Sequence, residues 1–192
     1  MSGIEASLPD CYMITGKFAD NREFAGKLEH ALQQGNRIVQ LRCKQISDAD
    51  EFLALAEIAQ EICDRYNTTL LLATDADTFK RSDAGGLHLT SHTLQAYEHR
   101  PVEEGKLLSV SCHTVEDLAM ARRLGADILL LSPVKETSSH PGVPGIGWQG
   151  FREMTAGIGQ PVYALGGMST SDLDDAKSAG AAGVAAISSF WK

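Results

Sequence analysis

The sequence predicts a single-domain α/β protein of the (β/α)8, or TIM, barrel class, and three observations predict it. Eight short apolar runs recur along the 192 residues with helical patterns between them. Runs such as 128–133 are apolar on both faces, as parallel strands covered by helices must be. Polar residues collect at the C-terminal ends of these runs, the rim where this fold carries its chemistry. About 250 residues is typical of the class, so tight loops are expected. Residues 1–9 read as a leader or linker remnant and 10–192 as the barrel.

The elements follow in order. A first strand spans 11–16, and a helix near 21–34 stops at Gly35. The second strand covers 37–44, after which Ser47 and Asp48 supply N-cap chemistry for a long helix ending near Tyr66. Strands three to five are expected at 69–74, 87–90 and 107–113. Thr114 caps a helix over 115–124, with Glu116 and Asp117 in the first turn where the helix dipole favours them. Strands six and seven cover 128–133 and 161–165. Ser169 to Asp172 opens a helix that Gly180 ends, and 184–188 is the eighth strand. Only Phe190, Trp191 and Lys192 follow it, an apolar edge expected to be covered by a partner subunit or by further chain.

Composition excludes several classes. A net charge of −8 and a pI near 5.2 lack the basic footprint of a nucleic-acid binder. No apolar run approaches the roughly 20 residues that span a bilayer. The start has no basic segment followed by an apolar one, so a secretory signal is not expected. Four scattered cysteines show no metal-ligand spacing and read as reduced thiols of a cytoplasmic protein.

The second strand holds the most informative pattern. Gln40, Arg42 and Lys44 alternate with Val39, Leu41 and Cys43, which gives one polar, cationic face and one apolar face. Charged side chains are rarely buried unless paired, so this face suits either solvent or an anionic ligand at the barrel mouth. Strand-end positions add Thr74 and Asp75, Ser111 and His113, and Ser188, with His88 inside strand four. Gly166 and Gly167 before a Ser/Thr-capped helix form a candidate phosphate turn, because glycine lets backbone N–H groups approach an anion. The loop 133–145 offers Thr137, Ser139 and His140 to a diphosphate. His113 could serve as a base or as a ligand contact. Asp75 is the candidate magnesium ligand, since this ion takes one or two carboxylates beside substrate phosphates.

The segments Val39-Gln40-Leu41-Arg42-Cys43-Lys44, Gly86-Leu87-His88-Leu89, Ser109-Val110-Ser111-Cys112-His113-Thr114, Gly125-Ala126-Asp127, Ala164-Leu165-Gly166-Gly167-Met168 and Ala181-Ala182-Gly183-Val184-Ala185 occur in this order. Together they resemble the thiamine phosphate synthase and TenI family of barrels. The resemblance implies a transferase of thiamine biosynthesis or salvage that joins hydroxymethylpyrimidine diphosphate to thiazole phosphate. It assigns the diphosphate to Gln40, Arg42 and Lys44, the thiazole phosphate to Gly166, Gly167 and the backbone near Ser188, and magnesium to Asp75.

Departures from the pattern are equally visible. Thr74-Asp75 stands where synthases carry Asn-Asp, and Thr93 stands where a second metal-binding Asp is found. Thr137-Ser138-Ser139-His140 replaces Thr-x-Thr-Lys, and Pro133 occupies the place of the TenI tautomerase histidine. The Ser-Ser-His-Pro-Gly run and Gly147-Trp148-Gln149-Gly150-Phe151 resemble barrels fused behind Nudix hydrolase domains. The alternative expectation is therefore a non-catalytic or TenI-like phosphate-ligand-binding domain attached to such a hydrolase. The family likeness also implies a homodimer.

Overall fold

The computed structural model describes residues 8–137 and 141–192. Eight parallel strands close into a barrel in sequence order: β1 (Cys11–Ile14), β2 (Ile38–Leu41), β3 (Thr69–Leu72), β4 (Gly86–Leu89), β5 (Leu107–Cys112), β6 (Ile128–Leu131), β7 (Val162–Leu165) and β8 (Gly183–Ala186). Met13 pairs with both Val39 and Ala186, so β1 closes the circle between β2 and β8. The helices are α1 (Asn21–Gln33), α2 (Ala49–Arg65), α3 (Ala76–Phe79), α4 (Ser91–Leu94), α5 (Val115–Arg123), α6 (Gly147–Thr155) and α7 (Leu173–Ser178), the last preceded by a 3-10 turn, Thr170–Asp172.

Strand alternation divides the apolar residues into two cores. Tyr12, Ile14, Ile38, Leu71, Ile128, Leu130, Tyr163 and Ala185 fill the barrel interior. Val39, Leu41, Leu70, Leu72, Leu129 and Leu131 point the other way, against the helices. The face of β2 that carries Ile38 and Gln40 is thus the inner one, which aims Gln40 into the barrel. Helix starts obey the sequence chemistry: Asp20, Asp48, Thr90 and Thr114 each accept a backbone N–H as N-caps.

Seven strands are shorter than their runs suggested, and β4 keeps its length one residue earlier. β2 ends at Leu41, so Arg42 and Lys44 belong to the loop beyond it. The C-terminal edge also departs from expectation. Phe190 and Trp191 are 8% and 7% exposed within the single chain. Trp191 stacks near Phe24 with ring centroids 5.5 Å apart, and its Nε1 donates to the Lys17 carbonyl at 2.9 Å. The chain covers this aromatic pair itself, so a partner subunit is not needed for that purpose. Among the described residues, no helix is long and apolar enough to cross a membrane.

Candidate active site

A cavity of about 450 Å³ opens at the C-terminal ends of the strands, within the usual range for small-molecule sites of roughly 300–1,000 Å³. One wall is built by β2. The Thr15 hydroxyl accepts the Arg42 N–H at 2.9 Å and donates to the Arg42 carbonyl at 3.0 Å, which pins the backbone where it leaves the barrel. The Arg42 guanidinium lines the cavity and pairs with no carboxylate among the described residues. Gln40 is 2% exposed; its Oε1 accepts from Tyr12 Oη at 3.3 Å, and its Nε2 has no partner among the described residues. A cation and an amide N–H₂ thus face the same space.

A second wall comes from the loops after β7 and β8. Gly166, Gly167, Met168, Ser188 and Ser189 line it. The N–H groups of Gly167, Met168, Ser188 and Ser189 donate to no other described residue. Backbone donors without a partner are the chemistry that suits an anion. The two glycines have a second role. With φ of +98° and +65°, they hold conformations that L side chains avoid. A Cβ on Gly166 would lie 2.8 Å from Pro133 Cα, and one on Gly167 would lie 2.8 Å from the Glu136 carbonyl. Glycine therefore lets the loop after β6 lie directly on the loop after β7. Backbone bonds from Val134 N to Leu165 O at 2.9 Å and from Lys135 N to Gly166 O at 3.1 Å lock the contact, and the Lys135–Asp172 ion pair closes it. Burial opposes the charge on Asp172, but Lys135 and Ser169 outweigh it and hold the carboxyl below the usual range.

The floor is polar and buried. His88, on β4, contacts Ser109 Oγ through Nδ1 and Ser111 Oγ through Nε2, both at 3.0 Å. Burial, with the charge of Arg42 nearby, lowers its pKa from 6.5 to about 3, so the ring is neutral at physiological pH. His113 also lines the cavity, its Nδ1 held 2.9 Å from the Ser132 carbonyl.

The structure thus brings Gln40, Arg42, Ser111, His113, Thr137, Gly166, Gly167 and Ser188 to one cavity. Lys44, Thr74 and Asp75 are not among the residues that line it. Ser139 and His140 lie outside the described residues. Sequence reading passed over Tyr12, Ser109 and Ser132, whose roles depend on strands far apart in the chain.

Asp75, the expected magnesium ligand, is the N-cap of α3. Its Oδ1 accepts the N–H groups of Asp77 and Thr78 at 3.0 and 2.9 Å, and its Oδ2 accepts the Thr78 hydroxyl at 2.7 Å. Partial burial favours the neutral acid, yet the Thr78 bonds outweigh it and lower the pKa. Thr93, where a second carboxylate was sought, is tied into a capping box with Thr90. Among the described residues, no group of three His, Cys, Asp or Glu side chains could hold a metal ion. Asp75 is thus one carboxylate, engaged at a helix start, for an ion that takes one or two beside substrate phosphates.

The family model for thiamine monophosphate synthase matches residues 11–190. This chain belongs to the thiamine monophosphate synthase and TenI family. A relative from Aquifex aeolicus is 33% identical over 183 residues, covering 95% of this chain and 98% of its own length. The thiamine-phosphate synthase of Clostridium tetani is 30% identical over 185 residues, covering 94% of this chain and 88% of its own. Among solved structures, thiamine phosphate pyrophosphorylase from Pyrococcus furiosus superposes with a TM-score of 0.74 at 22% identity, over 93% of this chain and 85% of that one. That likeness establishes the shared barrel. The β2 wall and the glycine turn line one cavity.

Proposed function

We propose that this chain is a thiamine-phosphate synthase-type transferase acting on hydroxymethylpyrimidine diphosphate and thiazole phosphate. The observation that carries the reading is the meeting in one cavity of the Arg42 guanidinium with four backbone donors near Gly167 and Ser188, all without a partner among the described residues. Two anion-binding walls suit two phosphorylated substrates. In the reaction, the thiazole nitrogen forms a bond to the pyrimidine methylene carbon. The carbon–oxygen bond to diphosphate breaks, and diphosphate leaves with the electron pair. Arg42 and the Gln40 amide sit where charge grows on that leaving group, and charge stabilisation of this kind is a large catalytic contribution. The bond exchange transfers no proton, so it asks no base of His113. We assign that residue a ligand-contact role.

The substrates carry the phosphate oxygens that bind a divalent cation, and we propose that any magnesium enters with the diphosphate. The reading requires neither a fused Nudix domain nor a second copy of the chain. Asp75's engagement as a helix cap favours a second reading, a barrel that binds thiamine phosphates without turnover. Two measurements separate the readings. Incubation with both substrates and Mg²⁺ is expected to yield thiamine phosphate and diphosphate, and no product at high protein concentration would exclude the transferase. Thermal shifts with the same ligands should then reveal binding alone, since a ligand stabilises the folded state whether or not it reacts.

A further inference from the structure

Beneath the ligand-facing wall, five polar side chains from four strands form one unbroken chain. Gln40 Oε1 lies 3.3 Å from Tyr12 Oη, which lies 3.2 Å from Ser109 Oγ. Ser109 Oγ lies 3.0 Å from His88 Nδ1, and His88 Nε2 lies 3.0 Å from Ser111 Oγ. Tyr12 and Ser109 are fully buried and His88 is 3% exposed. The two ends, Gln40 and Ser111, line the cavity.

The hydrogens in this chain can be counted. An amide oxygen only accepts, so the single Tyr12 hydrogen goes to Gln40. Ser109 must then donate to Tyr12. The Ser109 oxygen is left to accept, which puts the imidazole hydrogen on Nδ1. Nε2 becomes an acceptor, and Ser111 must donate to it. Four contacts receive four hydrogens, with none missing and none doubled. Turning the Gln40 amide over reverses every bond together and places the ring hydrogen on Nε2. The chain therefore has two complete proton orders and no complete intermediate one.

We propose that Tyr12, Ser109 and His88 are positioning residues that set the polarity of the pocket, presenting Gln40 as a donor and Ser111 as an acceptor. This rests on the cavity being the substrate site proposed above. The ligand class follows: an acceptor group, such as a phosphate oxygen, against Gln40, and an N–H donor, such as an amino substituent on a ring, against Ser111. Neutrality of His88 at working pH keeps the ring to one hydrogen, as the count requires. Burial holds the Tyr12 phenol protonated by raising its pKa, so its hydrogen is always present. A reversed chain would point the Gln40 oxygen at the same space that Arg42 prepares for an anion.

The test is the position of one proton. In protein labelled with ¹⁵N-histidine, the His88 signals are assigned by their loss in His88→Gln. Wild type at neutral pH is expected to carry hydrogen on Nδ1 and none on Nε2. Hydrogen on Nε2 in wild type overturns the proposal without need of any variant. In Tyr12→Phe the Ser109 hydroxyl is freed to donate to Nδ1, and the ring hydrogen should move mainly to Nε2. An unchanged tautomer in folded Tyr12→Phe also overturns it. A binding arm uses two pyrimidine diphosphates that differ only in an amino or an oxo substituent. Wild type is expected to favour the amino compound by about tenfold, the effect of one hydrogen bond, and Tyr12→Phe to lose most of that preference. Equal affinity of wild type for the two compounds overturns the polarity assignment. If hydrogen sits on Nδ1 but neither diphosphate binds, the transferase reading fails while the proton order stands. If both bind and hydrogen sits on Nε2, the order fails and the transferase reading stands.

Discussion

Arg42 brings a full charge into a half-enclosed space with no carboxylate to neutralise it among the described residues. In the function proposed above, a ligand supplies the negative charge. Arg42→Ala removes that charge and little core volume. We expect KM for the diphosphate substrate to rise about 10- to 100-fold, as for one charged hydrogen bond, with the melting temperature nearly unchanged. A variant that unfolds instead would make Arg42 a structural residue. His88 carries a pH signature at the same scale. Its ring stays neutral in the folded state down to about 3, whereas the unfolded chain protonates near 6.5. The folded state therefore loses stability as pH falls below about 6.5, by up to ~1.4 kcal/mol per unit from this one group. Urea unfolding between pH 6.5 and 5 should show that slope in wild type and a shallower one in His88→Gln. Asp75 and Asp172 do not confuse this window, because carboxyls with lowered pKa values lose their stabilising effect only at more acid pH.

At the scale of elements, the strands were legible because a buried parallel strand reads as a continuous apolar run, and each of the eight runs holds one. Their ends were not, since Arg42, Thr74 and Pro133 continue the alternation after the ladder has stopped. The helices α3 and α4 have four residues each and are too short to show a period. The N-cap role of Asp75 was hidden for the same reason: no helix was visible for it to cap. The cation and amide of the β2 wall were readable from spacing alone. The Tyr12–Ser109 contact joins residues 97 apart and exists only once the barrel closes. The glycine turn was read as an anion site, and the structure adds the tight loop contact it permits. Gly167→Ala should cost about 1–3 kcal/mol from the positive φ alone. It should also weaken the stabilisation given by inorganic phosphate, which denaturant titration with and without phosphate would reveal. Unaltered stability would show that the loop after β6 yields easily.

For the whole molecule, the decisive contacts join the two ends of the barrel. Trp191, five residues after β8 ends at Ala186, covers Gly16, packs near Phe24 and bonds to Lys17. Trp191→Ala should destabilise by about 3–5 kcal/mol, as expected for loss of a large buried aromatic, measurable by thermal or urea unfolding. A drop of under 1 kcal/mol would show that the seal is unimportant.

The same seal has a meaning in time. The bond from Trp191 to the Lys17 carbonyl spans 174 residues, and β1 finds its second neighbour only in β8. A ribosome delivers β1 before β8, so β1 waits with one edge open until β8 has emerged. Contacts of such long sequence separation form slowly, and unpaired strand edges invite association with other chains. The arrival of β8 therefore decides when a sticky open sheet becomes a closed vessel.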